Sequence, residues 1–476
     1  MEKKKTKIVA TISDKSCDTN FIKSLFEAGM DLVRINSAHL DIEGALKIIR
    51  NTREVSEKIA IIIDTKGPEI RTTACDEPLN LKKDEIVWIS GNPNEKTIPG
   101  NIYVTYPEFA NDVPIGSSVL IDDGDVELKV LDKEEAKLKC VAVNDGTIGS
   151  RKSVNVPGVK ISLPSVSSKD KKFIEMSVKE DIDFIAHSFV RNRQDVRDVK
   201  KILDEAGSEI KIIAKIENQE GVDNIDEILD EVYGIMVARG DLAIEIPYEK
   251  IPVIQRMIIG KCIEKRKPVI VATQMLHSMI NNPRPTRAEV SDIASAIYSQ
   301  TDAMMLSGET ANGKYPVEAV RTMTRVTLEV EKNKEKYLEI PASSYAGEVS
   351  GYLAKVAVKT SVRIGAKGLI ADTSGGRTIR DMAAFRGANI IMAQCYKKRT
   401  MRELALSYGV YADWQEKKKS VDRFIHTALM NLSKTHDLLE NDIIIILAGN
   451  FSGGSGFSFI EIGTVNYLRD RVTIND

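Results

Sequence analysis

Short apolar runs alternate with segments of helical spacing along the first two thirds of the chain. Residues 21–30 illustrate the helical spacing, because their apolar side chains all fall on one face of a helix. Strands that are apolar throughout and alternate with helices are typical of a parallel sheet covered by helices. Eight such units predict an α/β fold, a (β/α)₈ TIM barrel. The eight runs are KIVATI at 7–12, LVRIN at 32–36, AIIID at 60–64, FIAHSF at 184–189, IKIIAKIE at 210–217, GIMVA at 234–238, PVIVAT at 268–273 and AMMLS at 303–307.

The long interval between the third and fourth runs has a different pattern. Stretches such as SSVLIDDGDVELKV at 117–130 alternate apolar with polar residues and contain turn signals. We therefore expect a small β-barrel domain at 71–156, inserted into a barrel that occupies 1–70 and 157–340. An insertion at the top of a barrel could act as a lid.

A further change of pattern near residue 350 marks another domain. Helix-like segments there alternate with the apolar runs GLIADTSGG, NIIMAQ and DIIIILAG. This predicts a separate C-terminal α/β domain at 350–476, preceded by a helix and linker at 328–344.

Composition narrows the class of protein. The 476 residues are 42% hydrophobic and 29% charged with a formal net charge of −2, which argues against a general nucleic-acid binder. No apolar run is long enough to span a membrane, and residues 1–13 do not resemble a secretory signal. Five scattered cysteines suit a reducing compartment, so we expect a cytoplasmic protein.

Charged and polar residues follow the predicted barrel strands. In a barrel, side chains at the carboxyl ends of the strands converge on one site. Several charges in one mouth would be costly unless a metal and an anionic substrate lay among them. These strand-end residues are Arg34, Asn36, Asp64, Thr65, Lys66, Lys215, Glu217, Arg239, Asp241, Thr273, Gln274, Ser307 and Glu309.

The stretch GIMVARGDLAIEIP at 234–247 is the most informative of these strand ends. Glu217 and Asp241 would supply oxygen ligands from neighbouring strands, a donor set that suits magnesium or manganese. We expect Gly240 to let the backbone turn out of the strand, and the following N–H groups to hold an anion. The alternative is a strand end capped by a solvated Arg239–Asp241 pair.

Other candidate stretches have structural as well as functional interpretations. DTKGPEIR at 64–71 is either a turn or part of the site. Ser307 and Glu309 could carry protons or cap a helix, and a lone His39 is more often structural. DTSGGRT at 372–378 precedes a helix and offers hydroxyl and N–H groups to a phosphate, although it lacks the P-loop lysine pattern.

The chain resembles the pyruvate kinase family over nearly its whole length. The family's architecture is likewise a barrel with an inserted lid and a C-terminal α/β domain. The resemblance rests on TKIVATI, EAGMDLVRIN, DTKGPEIR, IDDG, VNVPGVKISLPSVSSKDK, FIAHSFVRN, IIAKIEN, GIMVARGDLAIEIP, KPVIVATQML, PRPTRAEVSD and MLSGETANGKYPVEAV in this order.

The resemblance implies transfer of a phosphoryl group from phosphoenolpyruvate to ADP, giving pyruvate and ATP. It implies catalytic roles for Lys215, Arg34, Thr273, Ser307 and Glu309. The residues similar to the family's substrate contacts are Ser188, Ala238, Arg239, Gly240, Asp241 and Thr273. Those similar to its nucleotide contacts are His39, Lys152, Asp123 and Arg71.

Metal requirements also follow from the resemblance. Glu217 and Asp241 look like the ligands of Mg²⁺ or Mn²⁺. Asn36, Asp64 and Thr65 are similar to potassium ligands, but Ala38 stands where the family has a serine, unless Ser37 replaces it by a local shift. Glu69 occupies the position where potassium-dependent members carry glutamate, so we expect weak activation by K⁺.

The C-terminal domain is the part least similar to the family. The resemblance implies a homotetramer and a phosphorylated effector bound near Thr373, Ser374, Arg377 and Thr378, together with the GNFSGGSGFSF loop at 449–459. Two other functions stay open at this point: a metal-dependent lyase or aldolase on a phosphoenolpyruvate-type barrel, and a non-catalytic metabolite sensor.

Overall fold

The N-terminal segment forms the first three strands of a barrel. The structure, a computed structural model, describes residues 3–334, 349–418, 420–449 and 459–470. Most of the expected linker at 328–344 and most of the 449–459 loop therefore lie outside the described residues. The first elements are β1 (Lys7–Thr11), α1 (Thr19–Ala28), β2 (Leu32–Asn36), α2 (Ile42–Val55) and β3 (Ala60–Asp64).

Helix α1 illustrates how local sequence sets these boundaries. The side chain of Asp18 accepts a hydrogen bond from the N–H of Phe21 and caps the first turn. The helix ends at Gly29, whose φ of 116° lies in the left-handed region that favours glycine. Ile22 and Leu25 lie on its buried face, against the barrel.

The inserted segment folds around a hydrophobic core of its own. Its main sheet has seven strands in the order β4-β12-β8-β9-β10-β6-β7, and β11 pairs with β5 in a second sheet. We call this segment the lid. Its elements are β4 (Ile70–Arg71), β5 (Leu79–Leu81), β6 (Ile86–Gly91), β7 (Asn101–Val104), α3 (Phe109–Asp112), β8 (Ser118–Ile121), β9 (Val126–Glu134), β10 (Lys137–Ala142), β11 (Gly146–Ile148) and β12 (Ser153–Asn155).

The chain then returns to complete the barrel. The eight strands pair in parallel and close in the order β1-β2-β3-β13-β14-β15-β16-β17, which confirms the predicted fold class. The elements of this part are α4 (Ser168–Lys179), β13 (Phe184–His187), α5 (Arg193–Glu205), β14 (Lys211–Ile216), α6 (Gln219–Asp223), α7 (Ile225–Glu231), β15 (Gly234–Ala238), α8 (Arg239–Glu245), α9 (Ile251–Glu264), β16 (Val269–Ala272), α10 (Arg287–Tyr298), β17 (Ala303–Leu306), α11 (Gly308–Ala311) and α12 (Pro316–Lys332).

The C-terminal domain is a five-stranded sheet with helices. Its strand order is β20-β19-β18-β21-β22, with β22 antiparallel at one edge. Its elements are α13 (Val349–Arg363), β18 (Gly368–Thr373), α14 (Arg377–Ala384), β19 (Ile391–Cys395), α15 (Lys398–Leu404), β20 (Val410–Trp414), α16 (Val421–Thr435), β21 (Ile443–Ala448), β22 (Phe459–Thr464) and α17 (Val465–Asp470).

Buried ion pairs join the C-terminal domain to the end of the barrel where the strands begin. Arg386 donates to Asp302 at 2.6 Å, and both side chains are almost fully buried. Arg402 donates to Asp183 at 2.5 Å. Leu406 packs into the same cluster as the residues that fill the barrel. The opposite end of the barrel is therefore the one left for a site. Among the described helices, the structure has none of sufficient length and apolar character to cross a membrane.

Every second side chain of a barrel strand points into the barrel, so the row of inward-facing side chains continues from the core to this open end. Leu32, Ala60, Ile62 and Ile213 belong to one fully buried cluster inside the barrel. Because side chains two residues apart point the same way, the next positions on these strands also face inward. Those positions include Arg34, Asp64, Lys215 and Glu217.

Candidate active site

Lys215 lies at the centre of the charged side chains above the barrel core. Its Nζ is 3.2 Å from Asp64 Oδ2 and 3.0 Å from Glu217 Oε1, and it donates to Ser188 Oγ at 2.8 Å. These contacts join residues from three adjacent strand ends. We refer to Arg34, Asp64, Lys215, Glu217 and Asp241 as the rim cluster.

The rim cluster contains buried charges of both signs that compensate one another. Burial alone would lower the pKa of Lys215, but the carboxylates of Glu217 and Asp64 outweigh burial and raise it. Burial raises the pKa of Glu217, and repulsion from Asp241 adds to this effect although Lys215 opposes it. Asp241 thus contributes to the electrostatics of Glu217, and two carboxylates that follow neighbouring strands are a donor set that suits a divalent cation.

Arg34 is held at the rim by two neighbouring strands. Its Nη2 donates to Asp64 Oδ2 at 2.6 Å, and its Nη1 donates to Thr11 Oγ1 at 3.2 Å. Its Nε and Asp64 Oδ1 are buried and have no hydrogen-bond partner within the described part of the chain. Buried polar atoms without partners point to a ligand at this position.

The backbone after β3 is fixed by hydroxyl contacts to the loop after β13. Ser188 donates from its N–H to Thr65 Oγ1 at 3.0 Å and from its hydroxyl to Thr65 O at 2.7 Å. Gly67, with φ 73°, approaches so closely that a Cβ there would lie 2.9 Å from Ser188 Cβ. Only glycine satisfies both the conformation and this contact. The start of the DTKGPEIR stretch, residues 64–67, therefore lies at the rim, whereas Arg71 belongs to the lid.

The expected role of Gly240 is wrong. Gly240 lies within α8, and its φ is outside the left-handed region. The chain turns out of β15 through Ala238, whose ψ of 84° precedes the helix. The N–H of Gly240 donates to Thr273 Oγ1 at 2.8 Å, so this hydroxyl joins the ends of β15 and β16.

Arg239 packs below the rim instead of forming a solvated pair with Asp241. Its guanidinium contacts Asp292 at 2.8 Å and donates to Thr273 O at 2.7 Å. The side chain is buried. Arg239 thus anchors the start of α8 to α10 and to the turn after β16.

The turn after β16 has a strained backbone, and hydrogen bonds from neighbouring segments hold it in place. Thr273 and Gln274 have φ of 70° and 56°, a conformation that is costly for residues other than glycine and is concentrated at functional sites. Glu309 accepts hydrogen bonds from the N–H of Leu276 at 3.1 Å and from the N–H of Ser307 at 2.8 Å. Both of its carboxylate oxygens therefore hold backbone.

The four residues expected to contact a nucleotide lie outside the rim cluster. Lys152 pairs with Asp122 at 2.6 Å, and Arg71 pairs with Glu69 at 2.6 Å. Asp123 accepts from Ser153 Oγ at 2.8 Å. His39 is exposed in the loop after β2. Lys152 and Asp123 thus form contacts within the lid, and Arg71 also donates to the lid carbonyl of Arg151.

The residues expected to bind an effector line a cavity of about 270 Å³ in the C-terminal domain. The cavity lies where β18 and β21 end and α14 begins, and Asp372, Thr373, Ser374, Arg377 and Thr378 contribute to its wall. Thr373 Oγ1 accepts from the N–H of Gly376 at 2.7 Å. The predicted effector residues are thus brought together.

Sequence reasoning missed several residues that support the site. Thr11 could have been found by applying the strand-end rule to the first apolar run. Asp292 ends the PRPTRAEVSD stretch, in which no residue was assigned a role, and its contact with Arg239 spans 53 positions. Asp170, which is fully buried, accepts from the N–H of Lys66 at 2.6 Å and had no local signal beyond a helix cap.

A barrel with charged side chains at the carboxyl ends of its strands belongs to the class of enzymes whose active site is built on that rim. Comparison with known proteins defines the class further. The family model "Pyruvate kinase, barrel domain" matches residues 3–320, and "Pyruvate kinase, alpha/beta domain" matches residues 352–462.

Individual relatives agree over almost the whole chain. A pyruvate kinase of Borreliella burgdorferi is 47% identical over 470 residues, which are 98% of each chain. One of Staphylococcus epidermidis is 42% identical over 475 residues, covering 98% of this chain and 80% of the relative. The crystal structure of a pyruvate kinase from Cryptosporidium parvum superposes with a TM-score of 0.91 at 35% identity, covering 97% of this chain and 96% of that one.

The chain belongs to the pyruvate kinase family, as its sequence motifs predicted, and is a phosphotransferase.

Proposed function

We propose that the rim cluster transfers the phosphoryl group of phosphoenolpyruvate to ADP, giving pyruvate and ATP. The observation that carries this proposal is the position of Lys215, whose ammonium group lies between Asp64, Glu217 and Ser188. Phosphoryl transfer depends on positioning and on charge neutralisation more than on a nucleophile. Asp64 and Glu217 fix Lys215, and Asp64 and Thr11 fix Arg34. The two cations can therefore supply positive charge without reorganisation.

Each residue has a distinct part in this reaction. Lys215 and Arg34 stabilise the negative charge of the phosphoryl group as it moves between oxygens. The start of α8, from Ala238 to Asp241, holds the substrate carboxylate through its N–H groups other than that of Gly240, which donates to Thr273 Oγ1 and fixes the position of the segment. Protonation of the enolate carbon follows transfer, and we assign this step to Ser307, whose N–H donates to Glu309 at 2.8 Å.

Glu217 and Asp241 would hold a divalent cation, Mg²⁺ or Mn²⁺. Their positions after the neighbouring strands β14 and β15 and the burial of Glu217 support this assignment. The described residues contain no group of three or more His, Cys, Asp or Glu side chains suited to a metal. Two carboxylates suit Mg²⁺, which takes its other ligands from substrate oxygens and water. When bound, the ion supplies positive charge to the substrate oxygens.

The lid would bring the nucleotide contacts to this site. Arg71, Asp123 and Lys152 are carried by the lid, and His39 by the loop after β2. Closure would exclude water, which otherwise competes with ADP for the phosphoryl group.

Association into a homotetramer is supported by exposed apolar side chains on two faces. Tyr248 and Val253 are 82% and 69% exposed near the start of α9, and Val349 and Tyr352 on α13 are at least 50% exposed. We also place the protein in the cytoplasm, because its five cysteines are free thiols.

Replacement of Lys215 by Met tests the central role of this residue. We expect kcat for ADP-dependent pyruvate formation to fall by about 10³-fold or more, because preorganised charge opposite the phosphoryl group is lost. The variant should stay folded, because Asp64 still pairs with Arg34. The carboxyl group of Glu217, which loses its contact with Lys215, can bind a proton. A coupled assay with and without ADP measures the effect and separates a kinase from a lyase or aldolase.

The matched control is Lys211→Met, at the other end of the same strand. Its side chain is about one third exposed and lies 3.8 Å from Glu403, away from the rim. Turnover of Lys215→Met close to that of Lys211→Met would contradict the proposed role. Absence of ADP-dependent turnover in the wild type would favour the non-catalytic sensor.

Potassium activation is supported by two buried oxygens. Ser37 Oγ and Asp64 Oδ1 have no hydrogen-bond partner among the described residues. The N–H of Ser37 donates to Asp64 O at 3.3 Å, which places the two residues side by side. Ser37 can therefore supply the hydroxyl that Ala38 lacks, together with Asn36, Asp64 and Thr65.

We expect weak activation by K⁺, so turnover should be somewhat higher in potassium buffer than in tetramethylammonium buffer. Replacement of Ser37 by Ala should raise the K⁺ concentration for half-maximal activation by about tenfold, because one oxygen near the cation is lost. Ser16→Ala, at an exposed position, is the control. Equal turnover of the wild type in the two buffers would refute the potassium site.

A phosphorylated effector is proposed for the C-terminal cavity. The start of α14 and the hydroxyls of Thr373 and Thr378 suit a phosphate. We expect fructose 1,6-bisphosphate, ribose 5-phosphate or AMP to shift the phosphoenolpyruvate saturation curve. Arg377→Ala should abolish the shift, whereas the exposed Arg363→Ala should not. No shift with any of the three compounds would overturn this proposal.

A further inference from the structure

Two crossings of the chain join the lid to the barrel. The outgoing crossing runs from the end of β3 to the start of β4, and the return crossing runs from the end of β12 to the start of α4. Residues 65–69 and 156–167 form these crossings, and neither segment contains a helix or a strand. Individual contacts with the barrel must therefore hold them in place.

One buried carboxylate contacts both crossings. Asp170 lies in the first turn of α4, and its side chain is fully buried. Its Oδ1 accepts a hydrogen bond at 2.6 Å from the N–H of Lys66, on the outgoing crossing. Its Oδ2 accepts from the N–H and the hydroxyl of Ser167, the last residue of the return crossing, at 3.0 and 2.6 Å. The two crossings thus meet at Asp170, although Lys66 lies 104 positions earlier in the chain.

The local sequence explains why a carboxylate is stable in this position. Ser167 is the N-cap of α4, and its hydroxyl accepts from the N–H of Asp170 at 3.2 Å, so the two residues form a capping box. The N-terminus of a helix stabilises negative charge, and three donors contact this carboxylate. A capping box requires only the contacts between these two residues, so the bond from Lys66 is additional to the helix cap.

Lys66 follows a segment whose backbone is already fixed at the rim. The N–H of Thr65 donates to Ala186 O at 2.9 Å, and Thr65 O accepts from the hydroxyl of Ser188 at 2.7 Å. Asp64, the preceding residue, pairs with both cations of the rim cluster. A displacement of Lys66 therefore reaches the rim cluster through two residues of chain.

The return crossing is also held to the barrel before it reaches α4. Arg191 donates to Ile161 O at 2.8 Å and to Leu163 O at 2.9 Å. The hydroxyl of Ser165 donates to Asp198 at 2.6 Å. This part of the return crossing is thus fixed to the barrel, and bending is left to the part nearer the lid.

We propose that Asp170 is a positioning residue that fixes both crossings to the barrel and so keeps the segment after β3 in place while the lid moves. This inference rests on the proposed function, because it assumes a lid that closes over a rim where a phosphoryl group is transferred. Asp170 is assigned no contact with either substrate. Its effect on the reaction passes through the backbone of Lys66 to Asp64, which holds the two cations.

Asp170→Ala tests the proposal by removing both acceptor oxygens. We expect kcat to fall about tenfold, the effect of losing one hydrogen bond to a charged group beside the rim. The KM for ADP should stay unchanged, because the lid residues that contact the nucleotide are unaltered. Amide hydrogen exchange at Lys66, measured without substrates, should become faster.

Ser167→Ala is the matched control, since it removes the hydroxyl of the same capping box and leaves the contact between Asp170 and Lys66. It should lower the melting temperature, because a helix cap is lost, and leave kcat almost unchanged. The proposal is overturned if the two variants have the same kcat, or the same exchange rate at Lys66.

Exchange in the wild type decides the question if Asp170→Ala does not fold. Lys66 lies outside every helix and strand, so slow exchange of its amide requires a specific acceptor. Exchange at the rate of an unstructured peptide would contradict the proposed contact. If the wild type and Ser167→Ala both lack ADP-dependent activity, the proposed function fails, whereas the exchange at Lys66 still decides on Asp170.

Discussion

The structure of the site depends on the burial of opposite charges at the open end of the barrel. Lys215 is almost fully buried, and its contacts with Asp64 and Glu217 make this tolerable. Removing charges from water costs several kcal/mol per ion unless partners compensate it. The rim cluster contains two cations and three carboxylates, so its formal charge is −1. A divalent cation and an anionic substrate complete its balance.

The rest of the molecule holds this cluster in place. The C-terminal domain covers the opposite end of the barrel through Arg386 and Asp302, which leaves one end open. Thr273 and Glu309 fix the turns that surround the rim, and Ser188 fixes the loop after β3. These contacts around the rim cluster therefore fix the position of the backbone, which is what a preorganised site requires.

Much of the fold and the centre of the site could be predicted from the sequence. The period of two along a strand places Lys215 and Glu217 on one side, and closure of the barrel brings them to Asp64. Local pattern does not determine long-range contacts, and for that reason the burial of Arg239 against Asp292 was missed. The role given to Gly240 was wrong because helical conformation begins before it, at Arg239.

The most direct test of the account is the binding of Mn²⁺, measured by titration calorimetry or electron paramagnetic resonance. Glu217 and Asp241, 24 positions apart in the chain, should share one ion. Glu217→Gln and Asp241→Asn should each raise the dissociation constant at least about tenfold, whereas Asp226→Asn on the exposed surface of α7 should not. Unchanged Mn²⁺ binding in both rim variants would contradict the account.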